Sequence, residues 1–413
     1  MQTSGIRRVV FIEQFFHPEG WGGAQLPRDI TIDLSKAGCD VEVICGSDQY
    51  APVEGGGQAD PGAFGVRIRR IPRLLQGDIH RAKLARQVWF YLCALPLLAI
   101  RRRPHLFVTQ TNPPLVVPLV ALVARLLRRP YMIIAQDIYP EVMLAHGMLS
   151  GRPWFERSLS RLFAWAYRHA SAVISLGPVM TERLLAKGVP RERVVEICNW
   201  ATGDESVCRG PTNELRDAWN LSGRSVLLYS GNLGIAHDVE TPIRAMAMLR
   251  SSVPDLVLVF IGKGSRLAEA RALADELAIG DVVRFHDFVP FDLLPHSLGL
   301  ADAALVTLRP GFEGLVVPSK LLGYMARSIP TLYVGPDSDV ARFVKASGGG
   351  ECVGSGDIEK FVAVVERWMV DPLARSAAGA NASSYYRQNL SREAGLDAYR
   401  AAVDGAAFPD ERA

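Results

Sequence analysis

No C-x-x-C pair occurs among the six cysteines of this 413-residue chain (Cys39, Cys45, Cys93, Cys198, Cys208 and Cys352). That excludes the usual zinc and disulfide frameworks, and scattered thiols suit a reducing compartment. The eight histidines show no H-x-x-x-H or H-E-x-x-H spacing, so no helical zinc site is encoded. A G-x-S-x-G elbow and a Walker loop are missing too, which removes the common hydrolase and P-loop readings. No apolar run approaches the ~20 residues that span a bilayer. The opening segment, MQTSGIRRVVFIEQ, soon meets Glu13 and reads as a first strand rather than a signal peptide. A net charge of only +3 gives no global attraction to nucleic acid.

One absence is local. From Ile79 to Gln136, 58 residues contain no Asp or Glu and nine basic residues: Arg81, Lys83, Arg86, Arg101, Arg102, Arg103, Arg125, Arg128 and Arg129. Two apolar blocks lie in this stretch, Val88–Ile100 and Leu115–Leu127, interrupted by Pro96 and Pro118. Two buried helices with solvated basic ends account for most of the apolar residues. Burial does not account for the missing acids. A monotopic face against anionic lipid, through residues 79–136, accounts for both.

What is present is a long alternation of short β-branched runs with helical patterns, the mark of stacked βαβ units in an α/β protein. The first half predicts strands at Arg8–Ile12, Val41–Cys45, Val66–Ile71, Leu106–Gln110, Tyr131–Ala135, Ala172–Leu176 and Val194–Cys198. After the first strand, a loop with Gly20, Gly22 and Gly23 leads into a helix near Ala24–Ala37, closed by Gly38 as a C-cap. A polar segment near Asn199–Asn213 reads as a linker. The series then restarts at Ser225–Gly234 and continues through Leu256–Ser265, Val282–Val289, Ala303–Leu308 and Thr331–Gly335. The expected organisation is two Rossmann-like doubly wound domains facing across a cleft: residues 1–203, residues 204–388, and a C-terminal helix over 389–413 that packs back toward the first domain. Ligands of such sheets bind beyond the carboxyl ends of the strands.

The candidate site residues fall at those ends. "SGNLG" (Ser230–Gly234) follows a strand, and Gly231, Asn232 and Gly234 offer close backbone approach to a phosphate. "IGKGS" (Ile261–Ser265) repeats the pattern and adds Lys263 and Arg266, although a solvated loop lysine is the blander explanation. In "FEGLVVPSKLLGY" (Phe312–Tyr324), Pro318 suits a first helical turn and Ser319 can bond the neighbouring backbone. Lys320 then stands where a helix dipole disfavours a cation, which a bound diphosphate would remedy. Glu313 can accept bonds from sugar hydroxyls, or simply face solvent. "QDIYPEVM" (Gln136–Met143) carries Asp137, which can meet an acceptor hydroxyl or a developing positive charge, or cap the next helix. His17 sits next to the first glycine loop, where it could line the cleft, although single histidines are more often structural; the D-x-D at Asp337–Asp339 reads as a turn with a helix cap rather than a metal site.

Taken in order, "FFHPEGWGGAQLPRDITIDLSKAGCDVEVICG", "QDIYPEVMLAHGML", "SLGPVMTERLLAKG", "ICNWA", "LLYSGNLG" and "EGLVVPSKLLGYMARSIPTLYVG" resemble the GT-B retaining glycosyltransferases of family 4. The chain is similar in particular to the bacterial colanic-acid, exopolysaccharide and O-antigen transferases. The resemblance implies transfer from a nucleotide diphosphate sugar to a lipid-linked saccharide at the inner face of the cell membrane, in the cytoplasm. It implies no cofactor and no metal. Lys320 and Lys263 or Arg266 would hold the diphosphate, Gly22 and Gly23 would close on the donor, and Glu313 matches the first glutamate of the family's E-x7-E motif. The second glutamate, which holds ribose in relatives, is replaced: Leu321 or Gly323 stands there, depending on the alignment. Two other readings remain beside this one, a nucleotide-sugar 2-epimerase and a non-catalytic GT-B partner.

Overall fold

The computed structural model describes residues 7–17, 22–47, 60–72, 83–99, 105–148, 151, 153–203, 205–207 and 213–407. The chain divides into two compact units. The first comprises residues 1–198, 314–316 and 393–413; the second comprises 199–313 and 317–392.

The first unit holds a seven-stranded parallel sheet in the order β3-β2-β1-β4-β5-β6-β7. Its strands are β1 Arg8–Glu13, β2 Asp40–Gly46, β3 Arg67–Ile71, β4 Leu106–Gln110, β5 Tyr131–Ile134, β6 Ala172–Ser175 and β7 Val194–Glu196. Val9 to Ile12, Phe107, Val108 and Met132 to Ile134 are fully buried. Near-continuous apolar runs of this kind belong to strands covered by helices on both faces. The chain winds from β1 out to β3, then crosses back to β4 on the other side of β1, where Val9 pairs with Leu106 and Ile12 with Thr109. The helix Gly22–Lys36 ends at Gly38, whose φ of +89° needs a residue without a side chain.

The two expected proline breaks do not interrupt their helices. Pro96 lies within Lys83–Ala99, and Pro118 sits in the first turn of Val116–Leu127, where a missing N–H leaves nothing unpaired. No helix among the described residues is long and apolar enough to cross a membrane. The last helix, Arg392–Ala407, is tied to this unit by Arg400 to Asp33 at 2.6 Å and by an ion pair between Arg7 and Asp404.

The second unit holds six parallel strands in the order β10-β9-β8-β11-β12-β13. They are β8 Ser225–Ser230, β9 Leu256–Ile261, β10 Val283–His286, β11 Ala303–Thr307, β12 Thr331–Val334 and β13 Gly350–Val353. Strand β13 has no counterpart in the sequence-based expectation, because "GGGECV" lacks the β-branched density that marks the others. Glycine is nonetheless required there: a Cβ on Gly350 would lie 1.9 Å from the Thr331 carbonyl oxygen of β12. The start of the linker is fastened to this unit. Tyr386 Oη accepts from the Ala201 amide at 3.0 Å and donates to Glu205, and the buried Arg327 donates to the carbonyls of Thr202 and Ser206.

Gly350→Ala is expected to destabilise the chain by roughly 2 kcal/mol or more through backbone overlap. Gly354→Ala, whose Cβ would meet only the Asp357 Cβ at 4.0 Å, should be close to neutral. Thermal melts of the two variants compare them directly, and equal melting temperatures would refute this packing.

Candidate functional site

At the carboxyl ends of β8 and β9, two glycine loops lie backbone against backbone. Leu233 N–H donates to Lys263 O at 2.8 Å, and Gly231 N–H to Ile261 O at 2.9 Å. A Cβ on Gly262 would sit 2.2 Å from Gly231 O, and one on Gly264 would sit 2.2 Å from Leu233 O. These two glycines therefore allow the loops to pack on each other. Gly231, with φ +131°, instead faces the Lys320 side chain, whose Cε would lie 3.2 Å from an added Cβ. Tyr324 clamps the first loop by accepting from Ser230 N–H at 2.8 Å.

Lys320 opens the seven-residue helix Lys320–Ala326 and is half-buried as a residue, but its ammonium is enclosed. Nζ donates to Tyr229 Oη at 2.9 Å and to His237 Nε2 at 3.3 Å, and it stands 4.4 Å from the centre of the Tyr229 ring. His237 is held in one tautomer. Its Nδ1 lies 2.7 Å from the Thr307 carbonyl, which can only accept, so Nδ1 carries the proton and Nε2 turns a lone pair to the lysine. Burial first, and the lysine second, push the imidazole down to about 3, so it stays neutral. Tyr229 O–H donates on to Asn232 O at 2.9 Å. No carboxylate pairs with Lys320 among the described residues, and burial alone pushes its amine down to about 7. An ammonium has three donors; the third has no protein partner among the described residues.

The other expected residues are placed differently. Lys263 and Asn232 have exposed side chains beside the loops, and Gly234 lies between Leu233 and the helix that follows. Arg266 is engaged: Nε donates to Glu269 at 2.8 Å and Nη1 to His237 O at 2.6 Å, and the Glu269 bond raises its pKa. Ser319 does not cap its helix. With φ −67° and ψ −14° it is already helical, so its exposed hydroxyl is not turned back onto the amides, and Pro318 precedes it half-buried. Glu313 is half-buried and accepts from Gly311 N–H at 2.7 Å. At the two candidate ribose positions, Leu321 is buried and Gly323 O accepts from Arg327 at 3.0 Å.

In the first unit, Asp137 follows β5. Its N–H donates to Thr111 Oγ1 at 3.0 Å, and it forms an isolated antiparallel bridge with Val316. Burial pushes its carboxyl up to about 6. It is not a helix cap, since the next helix, Glu141–Ala145, starts after Pro140 with no side-chain cap. Gly22 and Gly23 open the helix Gly22–Lys36, while Gly20 lies outside the described residues. His17 faces Asp60 at 4.0 Å. Asp337 pairs with Lys345 and Arg342, and Ser338 caps the helix Asp339–Ser347, which settles the D-x-D as a turn. Among the described residues no three His, Cys, Asp or Glu side chains group as metal ligands.

Sequence reasoning missed Tyr229, His237 and Tyr324. A histidine seven residues beyond the end of β8 was the available signal for His237, but nothing in its spacing pointed to Lys320, 83 positions away.

The family model described as "Glycosyl transferase 4-like domain" matches residues 22–200, and that described as "Glycosyl transferases group 1" matches residues 211–385. The chain is 26% identical over 341 residues to a probable glycosyltransferase, WbjE, of Pseudomonas aeruginosa, covering 81% of this chain and 83% of that protein. It is 26% identical over 265 residues to a putative colanic acid biosynthesis glycosyl transferase, WcaI, of Escherichia coli K12, with 63% of each covered. Among solved structures, Anabaena Alr3699/HepE in complex with UDP-glucose superposes with a TM-score of 0.68 at 15% identity, over 96% of this chain and 98% of that one, a likeness of fold.

The lysine's environment makes a testable statement about pH. Its amine titrates near 7 in the fold and near 10.5 when unfolded, so between those values the unfolded chain binds the extra proton and stability rises with pH. The slope from this one group is at most about 1.4 kcal/mol per pH unit. Lys320→Met should therefore be more stable than wild type at pH 7, with the gap narrowing steadily as the pH rises to 9.5 in paired thermal melts. A gap independent of pH would show that the ammonium is not enclosed.

Proposed function

We propose, for a chain that belongs to the GT-B glycosyltransferases, that it moves a hexosyl or deoxyhexosyl group from a nucleotide diphosphate sugar to a saccharide hydroxyl with retention of anomeric configuration. The observation that carries the donor assignment is the enclosed Lys320 ammonium, which among the described residues has no counter-charge and one unused donor beside Gly231. A diphosphate supplies what that group lacks. As the glycosidic bond breaks, negative charge grows on the leaving phosphate, and a fixed ammonium stabilises that charge without reorganising. In this reading no metal ion is needed, because Lys320 supplies the compensating charge, with Lys263 as a second cation and Gly231, Asn232 and Gly234 giving backbone approach. Arg266 joins only by releasing Glu269. Glu313, Pro318 and Ser319 lie on the segment leading to the lysine, where the donor sugar and the β-phosphate would be met. The acceptor oxygen attacks the face from which the phosphate leaves, and the phosphate takes its proton. HepE, the solved neighbour with UDP-glucose, makes that nucleotide sugar the first probe.

The acceptor in this reading is lipid-linked, as in colanic-acid, exopolysaccharide or O-antigen assembly, and the enzyme lies on the inner face of the cell membrane. The helices Lys83–Ala99 and Val116–Leu127 favour it. Leu92 is 65% exposed and Leu126 73%, beside the exposed Arg125 and Arg128, in a stretch with no acidic residue. Apolar side chains entering an interface while arginines meet lipid phosphates suit an anionic surface.

Lys320→Ala should lower transfer by ~10²–10³ while the fold survives; near-normal release of UDP from UDP-glucose would refute the donor assignment. In flotation with vesicles of phosphatidylglycerol, the wild type should rise with the lipid and Leu92→Glu/Leu126→Glu should not. A wild type that stays at the bottom refutes the membrane face.

A further inference from the structure

The cage around the Lys320 nitrogen is built for two hydrogens rather than three. Both of its protein partners act as acceptors. His237 Nδ1 carries the proton that bonds the Thr307 carbonyl at 2.7 Å, so Nε2 meets Nζ, 3.3 Å away, with a lone pair. Tyr229 gives its own hydrogen to Asn232 O at 2.9 Å, so its oxygen meets Nζ at 2.9 Å as an acceptor. A neutral amine has two N–H groups and satisfies both partners as it stands. An ammonium has a third, and nothing among the described residues accepts it.

The charges around this group leave the amine uncompensated. Tyr229, from β8, and Tyr324, one turn along the lysine's own helix, are enclosed, and burial keeps both hydroxyls protonated. In the loop after β8, His237 stays neutral. Asp238, next in the chain, turns its carboxylate to Glu240 N–H, Thr241 N–H and the Thr241 hydroxyl. Arg266 donates to His237 O and to Glu269, and places positive charge behind the imidazole. From β11 comes the neutral Thr307 carbonyl, and Glu313 accepts from Gly311 N–H. No carboxylate among the described residues bonds Nζ, and burial pushes the amine down to about 7.

We propose that the donor binds together with a proton: Lys320 is a neutral amine in the free protein and becomes an ammonium when a diphosphate oxygen arrives to accept its third hydrogen. The buffer gives up one proton, Nζ gains it as an N–H bond, and no other bond changes. The inference rests on the nucleotide-sugar reading of this site and adds a regulation to it, a grip on the donor that weakens as the pH rises. Only the protonated fraction of the free protein is competent to bind, so above pH 7 the Kd rises by up to ~10-fold per pH unit.

Titration calorimetry of the full chain with UDP-glucose at pH 8, in HEPES and in Tris, tests it. The diphosphate diester has no proton to exchange near that pH, so the difference in apparent enthalpy between the two buffers counts the protons taken up by the protein. The expected uptake is ~0.9 proton per donor bound, the neutral share of an amine that titrates one pH unit lower. NMR of lysine-labelled protein reads the group directly. The Lys320 Cε resonance, assigned by its loss in Lys320→Met, should titrate near 7 in the free chain and at about 9 or above with UDP-glucose bound. GDP-mannose serves as the donor if the uridine compound does not bind. A Lys320 resonance that titrates near 10.5 in the free chain, or donor binding with one apparent enthalpy in both buffers, overturns the proton linkage and leaves the donor assignment standing. A resonance that titrates near 7 and that neither nucleotide sugar moves overturns the donor assignment and the linkage together.

Discussion

An ammonium group enclosed with no counter-charge among the described residues is the constraint around which the second unit's site is arranged. Water would solvate Lys320 better than its present neighbours do, and the amine's depressed pKa expresses that deficit. Its neighbours soften the deficit without removing it. Tyr229 lends an oxygen and a ring face, and His237 lends a lone pair only because Thr307 holds the other nitrogen protonated. A carboxylate in place of either would neutralise the lysine and leave it with nothing to attract. The arrangement keeps the cation incomplete, which is what an electrostatic anchor for an anion needs.

The two units carry opposite chemistries on the same architecture. The carboxyl edge of the second sheet presents a cation and glycine backbone. The carboxyl edge of the first presents the buried carboxyl groups of Glu13 and Asp137, with Arg70 engaged one strand away by the Cys45 thiol and the His17 carbonyl. One fold can host both because the strands and helices are fixed by apolar burial, while the residues just past each strand end are free to vary.

Most strands were legible because buried parallel strands need uninterrupted β-branched and aromatic residues. β4 was expected at Leu106–Gln110 and lies there. β13 was not, because close approach to Thr331 calls for glycine, which erases the strand signal at the residue where packing is tightest. The site was legible only in part, for a similar reason. Lys320 stood out against its helix, and the glycine loops stood out by composition. The partners that set the lysine's properties, Tyr229 and His237, are 91 and 83 residues away, a distance no local pattern bridges. Gly262 and Gly264 illustrate the opposite error: a loop composition that suits phosphate binding is explained at these two positions by backbone packing against the neighbouring loop.

The first unit is not continuous along the chain: residues 393–413 belong to it, after the whole of the second has been passed. On the ribosome its sheet is synthesised early, but the helix that brings Arg400 to Asp33 emerges only after the second unit. Domains that form during synthesis usually close in order from the amino terminus. Here the unit begun first is finished only after the whole of the second has been made, so a nascent chain stalled before residue 393 exposes the surface that this helix covers.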